Sequence, residues 1–407
     1  MLRLTEAADG QLARVRVPGG FVTAAQLHAL AGLAGQLGDG RIELTSRGNV
    51  QLRALAARDA DQLTGELAAA GLLPSLDHDQ VRNVLASPLA GLDGGPGLAP
   101  VVAALDAGLC ARARLSGLSG RFLFAVDDGR GDVAGLGADV VAVVRAGSAS
   151  VNGLAVAGLS VTGPAVGGHA ARGMAAAAGL SRSGADQANA VAAVMLAFAE
   201  AFLDERASLG SAAWRVADLP NGPDLIRTAV ARRLGLMAAP DHGHSPGPAT
   251  RPVGIIARDR AGGSGGRGEP GPAGSGAAVA LLAPLGRLTV DQVGWLADRV
   301  GGHPARITPW RSVVLPGQAD ATETLREAAG LGFGVDERSP WLRVTACAGR
   351  PGCASALADV QADAAGFAAR WPDRIVHLSG CARHCGRPAA TEIDVTATSE
   401  GYQVAGD

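Results

Sequence analysis

Lysine is missing from this chain of 407 residues: all 36 of its basic residues are arginine. Every clamp for an anion must therefore be a guanidinium, a planar fork suited to two-point pairing with carboxylates. Aromatic residues are scarce at 3%, so a core drawn from the 47% hydrophobic content rests mainly on Ala, Val and Leu. Five cysteines are too few for a disulfide scaffold, and four of them crowd between positions 347 and 385, which points to metal in a reducing compartment. There is no excess of positive charge either. A net charge of -2 argues against the cationic surface that non-specific binding to nucleic acid or an acidic membrane demands, so any basic site is local. The opening MLRLTEAADGQLARV lacks the apolar run of a secretory signal. The most apolar helical stretch, Ala188 to Leu203, is short and contains Glu200, so no membrane span is expected and the expected location is cytoplasmic.

What is present begins with length, which suits two or three compact units. Leu12 to Val17 reads as a strand, Thr23 to Gln36 as a helix and Arg41 to Leu52 as a second strand. The same order returns after residue 276, where GGFVTAAQLHALAGLAGQLG meets LGRLTVDQVGWLADRVGG and IELTSRGNVQL meets ARITPWRSVVL. Two matches in register, about 263 residues apart, favour duplication of a whole half-protein. The expected units are residues 1–72 and 277–337 as the repeated half-domains, 73–237 as a mixed module and 338–407 as a terminal module. Residues 238–276, rich in Gly, Pro, Ser and Arg, read as a linker or long surface loop. In the mixed module RFLFAVDD and ADVVAVV look like strands and Gly184 to Arg206 like a long helix. In the last module WLRVTAC and RIVHLSGC look like strands flanking a helix from Ala354 to Arg370, with TEIDVTAT and GYQVAG as a closing pair. The cysteines then fall where strands end.

Cys347 and Cys353 form C-x5-C, and Cys381 and Cys385 form C-x3-C. Four thiolates from two loops can converge on one cube of iron and sulfide, for which thiolates are the natural ligands. Structural zinc is the alternative, but a five-residue gap holding Gly349, Pro351 and Gly352 is wide for a zinc knuckle. Gly349, Gly352, Gly380 and Gly386 let backbone amides approach the sulfides, and Arg350, Arg383 and Arg387 add charge nearby or simply face solvent. Cys110, alone in VVAALDAGLCARA, reads as a packing residue rather than a ligand.

Thr45-Ser46-Arg47-Gly48-Asn49-Val50-Gln51, Arg82-Asn83-Val84, Ser87-Pro88-Leu89-Ala90-Gly91 and Leu118-Ser119-Gly120-Arg121-Phe122, followed by the two cysteine pairs, together resemble the nitrite and sulfite reductase family. The resemblance covers nearly the whole chain outside the linker. It implies an internally duplicated α+β fold: two ferredoxin-like half-domains paired about a pseudo-two-fold axis, plus two α/β modules. It implies a 4Fe-4S cluster on Cys347, Cys353, Cys381 and Cys385, with Cys385 matching the cysteine that bridges to sirohaem iron in the reductases. It also implies an anionic tetrapyrrole held by Thr45, Arg47, Gln51, Arg82, Asn83, Arg121 and Arg311, with Arg53 a further candidate, and catalytic roles for Arg47, Arg82 and Arg121.

Within the family, Thr308-Pro309-Trp310-Arg311-Ser312 and Ser379-Gly380-Cys381-Ala382-Arg383-His384-Cys385 look like an oxygen-using branch of cobalamin biosynthesis. The reductases carry Pro and Asn where Ala382 and Arg383 stand. They also place two lysines in the loop that here reads SGRFL, where Arg121 replaces one cation and Leu123 the other. That branch implies hydroxylation of a precorrin at a meso carbon with lactone formation, using dioxygen and an external electron donor such as a ferredoxin or a reductase. Because four protein ligands leave a cluster no open position, oxygen would need a second centre, either sirohaem or a non-haem iron. His78, His377 and His384 are candidate ligands, but no two-His-one-carboxylate spacing stands out. The rival readings are a sirohaem-dependent sulfite or nitrite reductase and a non-catalytic Fe-S electron carrier.

Overall fold

The structure is a computed structural model and describes residues 2–92, 94–156, 184–237, 251–256 and 276–406. Its four sheets repeat one plan twice. The first runs in the order Thr5–Ala7, Gly10–Val15, Val50–Leu55, Arg41–Leu44 and, from the other half of the chain, Arg287–Thr289. The second runs Gly254–Ile256, Ala277–Leu282, Ser312–Gln318, Ala305–Ile307 and, from the first half, Phe21–Val22. Each half-domain thus lends one short strand to the other, Thr289 lying opposite Arg41 and Val22 opposite Ala305.

The lending is built into matching local sequence. Pro18–Gly20 and Pro284–Gly286 both turn the chain, with positive φ at Gly19, Gly20, Leu285 and Gly286. At Gly20 the turn requires glycine, because a Cβ there would lie 2.0 Å from the Ile307 carbonyl oxygen. The lent strand then leads into a helix whose first turn is closed reciprocally: Thr23 with Gln26 caps Ala24–Leu37, and Thr289 with Gln292 caps Val290–Arg299. The two helices pack on each other, and Leu27, Leu30 and Leu33 share one core with Val293, Leu296 and Ala297. At about 1.5–3 kcal/mol for each fully buried Leu, this common core makes the half-domains one folding unit rather than two tethered ones.

The duplication reaches further than the half-domains. In the third sheet Val84–Ala86, Phe124–Asp127 and Val140–Arg145 are parallel, with Ser148–Val151 antiparallel beyond them and Leu154–Ala155 at the edge. In the fourth, Val344–Ala346, Val376–Ser379 and Ile393–Thr398 are parallel, with Gly401–Ala405 antiparallel beyond. Ser87 donates its N–H to the Val126 carbonyl at 3.0 Å, and Cys347 donates to the Leu378 carbonyl at 3.0 Å, so Ser87 stands where Cys347 stands in the other copy.

Several local expectations change. The stretch Arg41 to Leu52 is a hairpin, Arg41–Leu44 and Val50–Leu55, turned at Thr45 to Asn49. The helix expected from Ala354 starts at Val360, capped by the Asp359 carboxylate, because residues 354–358 belong to the cysteine loop. Gly254–Ile256, inside the expected linker, is an edge strand, while 238–250 and 257–275 lie outside the described residues. The helix Gly184–Ser208, at 25 residues, is long and apolar enough by composition to cross a bilayer. Its apolar side chains are instead buried in the core with those of Ala99–Cys110, Met195, Phe198 and Phe202 among them. Cys110 ends that partner helix half-buried, and burial pushes its thiol up, as suits a packing residue.

At the place matching the cysteine loops, the first copy carries Ser87, Asp127, Asp128 and Asp132. Asp127 accepts four backbone N–H bonds, and Ser87 donates to Asp132 at 2.5 Å. Burial above all pushes Asp132 up to about 6, against the lowering effect of the Ser87 bond and with the Asp127 and Asp128 charges adding to the rise. A carboxyl raised on folding stabilises the folded state below its ordinary value near 4 and loses that contribution as pH rises through about 6. Asp132→Asn should therefore remove up to about 3 kcal/mol of pH dependence between pH 4 and 7. A pH series of denaturation midpoints checks this; parallel curves for the two proteins would contradict it.

Candidate functional site

Val344–Ala346 and Val376–Ser379 are neighbouring parallel strands that end at the same sheet edge. Cys347 is the first residue past one strand and Cys381 the second past the other, so the pairing carries the starts of both cysteine loops to one place. The two loops touch through small residues: Gly380 donates its N–H to Cys347 Sγ at 3.1 Å, and Leu357 donates to the Gly380 carbonyl at 2.7 Å. A Cβ on Gly380 would meet Ala356 at 2.8 Å and the Gly349 Cα at 3.4 Å. Positive φ at His384 and Gly386 curves the second loop on either side of Cys385. All four cysteines are free, Cys385 exposed and the others half-buried. Free thiols, glycine-lined loops in contact and an amide aimed at a thiol sulfur are what an iron-sulfur cluster asks of its protein, and these residues fit one.

The arginines divide into two groups. Arg82 is 2% exposed; it forms a two-point pair with Asp106 at 2.7 and 2.8 Å and donates to the Leu72 carbonyl at 2.9 Å. It braces the module, and in this structure its fork is filled by Asp106 and the Leu72 carbonyl. Asn83 is likewise buried: it donates to the Gln80 and Gly120 carbonyls and accepts from Asn49. Thr45 accepts from the N–H groups of Arg47 and Asn49 and so shapes its turn. Arg53 pairs with Asp9 through two 3.0 Å bonds and donates to the Gly352 carbonyl at 3.0 Å, tying the first half-domain to the cysteine loop. Gln51 is half-buried on the first sheet between Arg14 and Glu43.

Arg47 and Arg121 remain available. Arg47 is half-buried and donates to the Gly120 carbonyl at 3.0 Å; burial first, then the Arg215 charge, lowers its guanidinium from the ordinary value. Arg121 is exposed and lies 4.2 Å above the Trp214 ring. Arg215 pairs with Asp139 at 2.7 Å. Trp214 and Arg215 were missed in the sequence, although a Trp-Arg dipeptide in so aromatic-poor a chain was a usable signal.

Arg311 sits in a turn that copies Thr45 to Asn49. Thr45 donates to the Asn49 carbonyl and Thr308 to the Ser312 carbonyl, each at 2.9 Å. Arg311 holds φ 62 where its counterpart Gly48 holds φ 63. A left-handed arginine in place of glycine stores strain of about 1–3 kcal/mol, the sort that accumulates at functional sites. Its side chain crosses Gly286, where a Cβ would lie 2.6 Å from Arg311 Cδ, and lines a cavity of about 220 Å³. Trp310, Trp341, Arg251, Thr345 and Gly386 also line it. Ala346 and Gly386 place this cavity next to Cys347 and Cys385 in the chain.

Of the histidines, His78 is buried with Nδ1 on Ser75 at 2.8 Å and Nε2 on the Arg112 carbonyl at 3.0 Å, so neither nitrogen is left for iron. His384 Nδ1 lies 3.1 Å from Asp394 Oδ2. His377 is buried on Val376–Ser379, and burial drives its imidazole down to about 4. Removing Arg82 should cost about 3–5 kcal/mol of stability, since it strands Asp106 beside the core. Arg121→Ala should cost no more than about 1 kcal/mol. Denaturant titration of both variants separates the brace from the free guanidinium, and equal losses would contradict the division.

Residues 5–70 match the nitrite/sulfite reductase ferredoxin-like half domain. Over 98% of its length the chain is 28% identical to a precorrin-3B synthase from Sinorhizobium sp, spanning 79% of that protein. It is 42% identical over 84 residues to a ferredoxin–nitrite reductase from Synechococcus elongatus, a match covering 20% of this chain and 16% of that one. In fold it is similar to the NirA protein of Mycobacterium tuberculosis, with a TM-score of 0.64 and 17% identity over 97% of this chain and 73% of that one. The duplicated α+β architecture, the half-domain and the whole-length relative agree: this chain carries a nitrite/sulfite reductase ferredoxin-like half domain and is an enzyme similar over nearly its whole length to a precorrin-3B synthase.

Proposed function

We propose that this oxidoreductase hydroxylates precorrin-3A with lactone formation to precorrin-3B, using dioxygen and electrons from an external donor such as a ferredoxin or a reductase. The observation that carries the reading is the cavity of Trp310, Trp341, Arg311 and Arg251 against the cysteine loops. Indole walls suit a flat macrocycle, and guanidinium forks suit its ring carboxylates. At about 220 Å³ the cavity is below the roughly 300–1,000 Å³ of a typical ligand pocket, so it would take one edge of the macrocycle rather than the whole disc.

Cys347, Cys353, Cys381 and Cys385 would hold a 4Fe-4S cluster, which supplies single electrons when bound. The remaining work belongs to side chains. Arg311 and Arg251 anchor carboxylates at the cavity, Arg47 and Arg121 offer further cations, and Trp310 with Trp341 keeps water from the reacting edge. The oxygen-activating centre is a sirohaem or a separate non-haem iron, and the working compartment is the reducing cytoplasm.

A sirohaem-dependent sulfite or nitrite reductase is the second reading, favoured by the nitrite reductase match. Against it stands Leu123, at a position where the reductases carry a cation: it is 4% exposed and packs with Leu85, Ala125 and Val133. The purified protein should be brown and should bind and convert the precorrin in air. Cys347→Ala and Cys385→Ala should lose iron, sulfide and colour. Arg311→Ala should keep the cluster and weaken precorrin binding about 10- to 100-fold, the worth of one charge-assisted two-point contact. Sulfite reduction by reduced methyl viologen would favour the second reading. A reducible cluster with no tetrapyrrole binding would leave only an electron carrier.

A further inference from the structure

Thr345, His377 and Asp394 form one row across three parallel strands, so their side chains share a face beneath the loop from Cys381 to Cys385. His377 is 1% exposed. Its Nδ1 lies 2.8 Å from the Thr345 hydroxyl, whose other acceptor, the Val376 carbonyl, is farther at 3.4 Å. Assigning the hydroxyl hydrogen to the shorter contact leaves the neutral ring its N–H on Nε2. That nitrogen is buried without a hydrogen-bond partner among the described residues, and so is the hydroxyl of Ser379 two residues on, which is 0% exposed. The Cys385 backbone lies beside the ring, with Asp394, His384 and Arg387 as its charged neighbours. The acceptor the described residues place beside the ring, the Cys385 backbone, falls short of a full hydrogen bond, and a buried donor so poorly matched is costly.

We propose that His377, held by Thr345, is a positioning residue for the cluster: it fixes the turn bearing Cys385 and gives its Nε2 hydrogen to a sulfur at that corner. The inference rests on the reading that the four cysteines hold a cluster. Such a bond stabilises the more negative, reduced cluster and so raises its midpoint potential.

The test is a redox titration of the intact protein followed by electron paramagnetic resonance. His377→Phe should lower the reduced-to-oxidised ratio at a fixed potential about tenfold, a shift of 59 mV for one electron. Thr345→Val, which frees the ring, should shift it the same way by less, and His377→Gln, which keeps an amide donor, should recover part of the loss. Should His377→Phe fail to load iron while His377→Gln loads it, the positioning role is supported by iron content alone. Wild-type potential and spectrum in both His377→Phe and Thr345→Val would overturn the proposal. Absence of iron and sulfide from the wild-type protein would instead sink the underlying cluster reading, and the two failures are therefore distinct.

Discussion

The parallel pairing of Val344–Ala346 with Val376–Ser379 is the constraint on which the candidate site depends. Three aligned residues on each strand decide that loops separated by a helix and about thirty residues leave the sheet side by side. Gly380 can then approach Cys347 closely enough to donate to its sulfur, and Leu357 can close the far side of the first loop on the Gly380 carbonyl. The half-domains support this edge from outside. Arg53 reaches from the first sheet to the Gly352 carbonyl, and a Cβ on Gly352 would lie 2.5 Å from its guanidinium nitrogen, so the cysteine loop is seated on the half-domain rather than hung in solvent.

Duplication explains how one fold makes two different surfaces. Both copies keep the lent strand, the Thr and Gln capping box and the first loop's backbone bond to its neighbouring strand. At matching positions the copies differ in chemistry: Ser87 against Cys347, and Gly48 against Arg311. Backbone pairing was retained while side chains diverged, so one set of loops became a satisfied carboxylate and hydroxyl network and the other a set of free thiols.

This divergence also marks what was legible in the sequence. The cysteine pairs, their place at strand ends and the repeat of the half-domains could be read, because spacing and periodicity report local structure directly. The lent strands could not, since Phe21–Val22 and Arg287–Thr289 are too short for a periodic signal and pair with residues across the chain. The repeat of the outer modules is expected only by extension from the half-domain matches, and its strand-by-strand form is carried by hydrogen-bond topology. Arg82 shows the limit for single residues. A motif names the arginine, but only burial beside Asp106 reveals that its fork is already filled. Arg311 shows the converse, as its left-handed backbone is a feature that its place in a motif does not reveal.

The central claim is that a redox cluster and the edge of a flat polyacid meet at one sheet edge. Diffraction at the iron absorption edge from crystals soaked with a tetrapyrrole polycarboxylate tests it most directly. The account predicts one compact iron peak bonded to the sulfurs of Cys347, Cys353, Cys381 and Cys385, with a ring carboxylate on Arg311 between Trp310 and Trp341. Iron held elsewhere, or a macrocycle bound away from that cavity, would contradict it.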